Sequence, residues 1–192
     1  MSKPTTSSTA NQPTTSGTAN LLGALALVIT DQSADAVTTA SGQAGSAAAA
    51  LSALHHFLEP ATLDQLRQVL GLTPSGAVKL VDRLADADLV TRGPGTDGRT
   101  RSVTLTPAGR RAAEQISAAR AAYLSPLLEE LSAEENRTLH TLLGRVMTAV
   151  VDAKDGGAWI CRLCDLESCG RPASQCPTAT AAARKYSRPV LK

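Results

Sequence analysis

Between Thr62 and Leu105 the hydrophobic rhythm changes twice, and this stretch constrains the fold more than any other part of the chain. Thr62 and Gln65 form a T-x-x-Q capping box, so a helix starts at Leu63 and carries Leu63, Leu66, Val69 and Leu70 on one face. Gly71 ends it. Two residues later Thr73 N-caps another helix with Pro74 in its first position, where the missing N–H costs nothing, and Val78, Val81 and Leu84 are expected to be buried. After Asp88 the pattern turns extended. Leu89 to Arg92 and Arg101 to Leu105 read as two short strands around the Gly-rich link Gly93 to Thr100.

Two short helices on a tight turn, followed at once by a hairpin, are the parts of a winged helix-turn-helix. The first helix crosses the second, so that the N-terminal residues of the second project into a major groove. Thr73, Ser75, Gly76, Lys79 and Arg83 are the candidates to meet bases or phosphates there. Gly76 costs a helix ~1 kcal/mol relative to Ala, which close approach to DNA would explain. In the hairpin, Arg92, Arg99 and Arg101 flank a tip able to enter the minor groove, and Asp97 can orient an arginine there. The competing reading is structural: such helix pairs also occur in ordinary cores, with Lys79 and Arg83 as a solvated face. The formal net charge is only +2, so any basic surface is local.

The 192 residues suit one folded unit with tails, and 43% hydrophobic with 2% aromatic content favours helices packed through small side chains. Residues 1–17 are Ser, Thr, Pro and Asn and are read as a disordered tail. From about Asn20 to Thr38, Leu21, Leu25, Val28 and Ile29 recur at helical spacing, and a second helix runs from about Ser46 to Leu58, before Pro60. Thr106-Pro107 opens a long helix kinked at Pro126. Ser132 with Glu135 caps a last one, whose stripe of Leu139, Leu142, Leu143, Val146, Met147 and Val150 runs on to about Lys154. The Leu21 to Ile29 stretch follows a long polar leader and falls short of the ~20 apolar residues of a membrane span, so the chain is read as cytoplasmic, with no membrane partner. No nucleophile–base–acid set, phosphate loop or carboxylate pair stands out, and no enzymatic activity is expected. His55 and His56 read as structural.

Cys161, Cys164, Cys169 and Cys176 are spaced C-x2-C-x4-C-x6-C, with Pro177 following. In a reducing compartment such a cluster points to metal or redox chemistry rather than to disulfides. Structural zinc sites usually pair two C-x2-4-C knuckles, and only one is present here; a final Cys-Pro is common in iron–sulfur proteins, although this spacing is not the ferredoxin run. A [4Fe–4S] cluster is the first expectation, structural zinc the second, and a metal-free thiol switch the third. Trp159 and Ile160 are placed to shield a centre, and Arg162 and Arg171 to offset thiolate charge. Arg184, Lys185, Arg188 and Lys192 form a basic tail that either touches phosphate or is solvated.

The stretch Leu51 to Arg110 resembles the MarR family of bacterial regulators. The resemblance rests on Leu72-Thr73-Pro74-Ser75-Gly76-Ala77-Val78, Leu80-Val81-Asp82-Arg83-Leu84, Leu89-Val90-Thr91-Arg92, the wing Asp97-Gly98-Arg99-Thr100-Arg101, and Leu105-Thr106-Pro107-Ala108-Gly109-Arg110. It implies a homodimer in which the first and the last two long helices interlock, reading a pseudo-palindromic operator on double-stranded DNA. The apolar stripes of the terminal helices ask for a partner surface on their own account. So few aromatic residues give no support for the phenolic ligands bound by many family members. The four cysteines depart from the family pattern.

The expected fold is therefore mainly α: a winged helix-turn-helix with a helical dimerisation region and a small β-hairpin wing. The expected divisions are 18–154 for the winged-helix domain (DNA-binding core 45–110, dimerisation helices 18–40 and 107–154), 155–180 for the cysteine segment and 181–192 for the basic tail. The expected function is a transcriptional regulator, in the first instance a repressor, whose operator affinity follows the state of a redox-sensitive four-cysteine centre. A redox or electron-transfer protein on a winged-helix scaffold is the alternative from another class, and a zinc-stabilised regulator sensing a small ligand differs in the metal.

Overall fold

The computed structural model describes residues 13–94, 101–153 and 158–186. Among the described residues, eight α-helices run in the order α1 (Thr15–Ser41), α2 (Gly45–Ala53), α3 (Leu63–Leu70), α4 (Pro74–Asp86), α5 (Pro107–Leu124), α6 (Pro126–Glu129), α7 (Ala133–Ala153) and α8 (Pro177–Tyr186). Three short strands, β1 (Ala61–Thr62), β2 (Val90–Pro94) and β3 (Arg101–Leu105), form an antiparallel sheet in the order β1-β3-β2. The mainly α winged-helix expectation is met.

Local chemistry explains most boundaries. The Thr62 hydroxyl accepts the Gln65 N–H at 3.2 Å while the Gln65 side chain accepts the Thr62 N–H at 2.8 Å, so both halves of the capping box at α3 are made. Gly71 closes α3 with φ 66°, a left-handed conformation that disfavours a side chain. Thr73 caps α4 through the Gly76 N–H at 3.1 Å, and Ser132 caps α7 through Glu135. The chain breaks between α5 and α6 at Pro126, as a proline inside a helical pattern requires.

Several boundaries differ from expectation. Helix α1 begins at Thr15 rather than near Asn20, because the Thr14 hydroxyl accepts the Gly17 N–H at 3.0 Å; residues 1–12 of the expected tail lie outside the described residues. The second helix does not stay α-helical to Leu58: its last turn, Leu54–Leu58, is π-helical. Strand β1 was not anticipated; it exists because Ala61 pairs with Val103 and Thr62 with Ser102. Strand β2 is shifted to Val90–Pro94. Val78 is not buried: it is 42% exposed, and Ala77, Leu80, Val81 and Leu84 line the inner face of α4.

The core sits where α2, α3, α4, the sheet and α5 meet, with Leu51, Leu54, Leu66, Val81, Leu84 and Ile116 all but completely buried. Burying a side chain of this size stabilises by roughly 1.5–3 kcal/mol each. Helix α1 packs along α5, and α8 packs on α7. Helix α8 lies where a cysteine segment and a basic tail were expected. Of the tail, Arg184 pairs with Asp152 at 3.2 Å, and the Lys185 ammonium donates to the carbonyls of Val151 and Asp152 at 2.8 and 3.0 Å, so these two cations close the C-terminal end of α7. Arg188 and Lys192 lie outside the described residues.

Candidate nucleic-acid interface and thiol cluster

Ser75, Lys79 and Arg83, spaced by four, share one exposed face of α4, and Thr73 stands exposed at its cap. Val78 lies beside them. Its exposure was legible: the inner stripe 77, 80, 81, 84 follows the spacing of a helix face, and position 78 falls off it. Gly76 has a local reason for lacking a side chain, since a Cβ there would stand 3.0 Å from the Thr73 hydroxyl that caps the helix. Close approach to DNA is not needed to explain it.

The wing is tied to α4. The Arg92 guanidinium on β2 forms an ion pair with the Asp82 carboxylate on α4, so this arginine braces the hairpin as well as facing outward. Across the ladder Thr91 and Thr104 share a hydrogen bond at 2.8 Å, and exposed Arg101 pairs with Pro94 at the last described rung before the tip. Asp97 and Arg99 lie outside the described residues. The wing base is held by Glu59, which accepts the Leu105 N–H at 2.7 Å and pairs with Arg110 at 2.7 Å. A cap then fixes α5: the Thr106 hydroxyl donates to the Asp88 carbonyl at 2.6 Å and accepts the Gly109 N–H at 2.9 Å.

Residues 42–100 fit the family model described as the MarR family. Their winged helix is similar to that of this family. Solved structures agree in fold. A MarR family protein from Bacillus stearothermophilus has 22% identity and a TM-score of 0.64, covering 70% of this chain and 94% of that one. A probable transcriptional regulator from Pseudomonas aeruginosa has 27% identity and a TM-score of 0.51, covering 67% and 98%. A Mycobacterium tuberculosis MarR family protein, solved in complex with p-aminosalicylic acid, has 23% identity and a TM-score of 0.52, covering 67% and 96%. No curated protein matches the chain in sequence.

Beyond the winged helix, the 3-10 turn Ala158–Cys161 packs on α3, and Leu163 packs against the core. Cys161 and Cys176 are buried, Cys164 and Cys169 half-buried, and all four are free thiols. The Cys164 thiol donates to the Ile160 carbonyl at 3.9 Å and the Cys169 thiol to the Leu166 carbonyl at 3.4 Å. The neighbouring Cys164 draws the Cys161 thiol down from its ordinary pKa, Cys161 and burial push that of Cys164 up, and Cys169 is raised chiefly by burial. The Leu166 carbonyl also accepts the Arg171 N–H at 3.3 Å. Among the described residues, no group of three or more His, Cys, Asp or Glu side chains is arranged closely enough to hold a metal ion as it stands.

Arg171 lies within electrostatic reach of Cys161 and Cys164, as anticipated. Arg162 instead donates to the Trp159 carbonyl at 2.6 Å and stacks over its ring at 5.9 Å. Arg120, which sequence reasoning missed because it is far away on α5, faces Cys164. Arg120 and Arg162 also line a cavity of about 580 Å³ between α1, α2, α5 and the cysteine segment, with Val37, Leu70 and Leu163 on its apolar side.

Two apolar faces are left uncovered. Helix α1 exposes Leu21 and Leu27 at 71% and 68%, and α7 exposes Leu142, Leu143, Val146 and Val150. Contrary to expectation, α1 is long and apolar enough to cross a membrane by length and composition alone. Its packing along α5, with Ser33 and Val37 buried and the Arg120 guanidinium 3.3 Å from the Ser33 hydroxyl, gives it a place in the fold.

Proposed function

We propose that this chain is a cytoplasmic, homodimeric transcriptional regulator that reads a pseudo-palindromic site on double-stranded DNA. The observation that carries the proposal is the exposed face of α4 with Ser75, Lys79 and Arg83, braced to a wing through Asp82 and Arg92. A capped helix followed by a tethered hairpin matches the groove-reading arrangement, and Lys79, Arg83 and Arg101 supply local positive charge on a chain of nearly neutral balance. Val78 adds an apolar contact for a thymine methyl. A second copy covering the faces of α1 and α7 takes Leu21, Leu27, Leu142, Leu143, Val146 and Val150 out of water.

Affinity for DNA is tuned, in this proposal, by a centre at Cys161, Cys164, Cys169 and Cys176. The support is the donor set: four thiols within electrostatic reach of one another, with Arg120 and Arg171 at hand to offset negative charge. Soft thiolates of this kind suit an iron–sulfur cluster or zinc, with [4Fe–4S] the first choice. Protein purified without oxygen, analysed for iron, sulfide and zinc and then titrated with operator DNA before and after removal of the metal, tests this. Brown protein whose operator affinity changes on cluster loss is expected; protein that binds neither metal, or binds DNA identically in both states, contradicts it.

The cavity beside Arg120 and Arg162 favours a second reading, a regulator sensing a small organic anion. Two guanidiniums above an apolar wall suit a carboxylate on a hydrophobic body.

A further inference from the structure

The cavity of about 580 Å³ that holds Arg120 and Arg162 falls within the usual size range of small-molecule sites. Its wall is aliphatic: Ile29 and Val37 come from α1, Leu70 from α3, and Ile160 and Leu163 from the segment that precedes Cys164. Alanines of α1 and α2 complete the wall, and none of the lining residues is aromatic. The two guanidiniums are its charged groups, with no carboxylate beside them in the lining. Among the described residues Arg120 forms no ion pair, and its guanidinium reaches the hydroxyl of buried Ser33 at 3.3 Å. Burial, and beyond it the like charge of Arg162, pull the Arg120 pKa below its ordinary value, against the Cys164 sulfur, which raises it. Arg162 spends one N–H on the Trp159 carbonyl at 2.6 Å, and the rest of its five-donor fork remains for a ligand. An anion between these two cations offsets what burial and like charge cost them.

We propose that the cavity takes a medium-chain aliphatic carboxylate, its chain packed among the branched side chains and its carboxylate held between Arg120 and Arg162. The inference names the ligand class for the anion-sensing reading above and rests on that reading. A planar guanidinium matches a carboxylate through paired N–H···O bonds. A wall of methyl groups and small side chains moulds to a flexible chain, whereas an aryl acid finds no ring there to stack on. Leu70 ends α3, and the turn Ala158–Cys161 packs on the same helix, so a bound chain touches the DNA-reading half. Arg162 and Leu163 make the C-terminal segment part of the site.

Calorimetric titration of the full-length protein with hexanoate, heptanoate, octanoate and benzoate tests the assignment, with octan-1-ol as the uncharged control. Affinity is expected to rise about fourfold per methylene, and heptanoate to bind more tightly than benzoate, which has as many carbons. Arg120→Gln and Arg162→Gln are each expected to lower octanoate affinity about 10–100-fold while octan-1-ol binds as before, which shows the cavity intact. Arg120→Lys, which keeps the cation, retains most of the affinity. Benzoate binding as tightly as heptanoate, or an affinity indifferent to chain length, overturns the aliphatic assignment and leaves the anion-sensing reading standing. Octanoate binding that survives both glutamine substitutions places the chain on the exposed leucines of α1 and α7 and overturns the site. Failure of all four acids to bind overturns the anion-sensing reading itself.

Discussion

Arg92 on the first wing strand and Asp82 on α4 form an ion pair, so the two parts proposed to enter adjacent grooves are joined by one contact. Both side chains are more than a third exposed, 35% and 47%, and the pair contributes only about 0–1 kcal/mol to stability. Its value lies in geometry. Arg92→Ala and Asp82→Asn are each expected to weaken DNA binding several-fold while leaving the thermal midpoint nearly unchanged, and the double variant to be no worse than the poorer single one. Strictly additive losses in a double-mutant cycle contradict the brace.

Lys79 and Arg99 separate positioning from reading. Lys79→Ala reduces the slope of log affinity against log salt by about one if the ammonium meets phosphate. Arg99→Ala costs ~1–3 kcal/mol of specific binding if the wing tip enters the minor groove. Binding isotherms at several salt concentrations on one DNA site check both; variants with wild-type curves remove these residues from the interface.

Gly109 sits so close to the strand entering the wing that a Cβ there would come within 1.9 Å of the Leu89 carbonyl oxygen. No rotamer relieves a clash with backbone. Gly109→Ala therefore forces α5 and β2 apart and is expected to destabilise the fold by about 2–4 kcal/mol, as strained core insertions do at their upper end. Denaturant unfolding measures it, and an unchanged midpoint contradicts the packing described.

The dimer proposal predicts that charge on the uncovered faces separates the subunits. Leu142→Glu with Val146→Glu on α7, both positions exposed in the single chain, is expected to yield a folded monomer by light scattering with greatly reduced DNA affinity. A dimer that persists, with full DNA binding, places the interface elsewhere. Protein that partitions into membranes through α1 would point to the other use of that helix.

Local rules made much of this legible. The capping boxes at Thr62 and Ser132, the Thr73-Pro74 start, the Gly71 stop and the break at Pro126 are written within a few residues of where they act. Val78 was misplaced because its type was weighed above its spacing. Strand β1 and the π-turn depend on β3 and on packing against α5, partners far along the chain, so no local pattern announces them. Helix α8 had a signal in Pro177 at its first position, masked by an Ala- and Thr-rich sequence with little amphipathic contrast. The docking of the cysteine segment on Phe57, and the approach of Arg120 to Cys164, are tertiary facts with no sequence trace.

The most direct test of sequence-specific reading by a two-fold dimer is selection from random double-stranded DNA with the purified full-length protein, followed by measurement of affinity at one fixed salt concentration. The account predicts enrichment of a two-fold symmetric site with half-sites about one helical turn apart, roughly 10–10.5 base pairs, bound at least about 1,000-fold more tightly than scrambled DNA. No enriched motif, or equal affinity for the enriched and scrambled sequences, contradicts it.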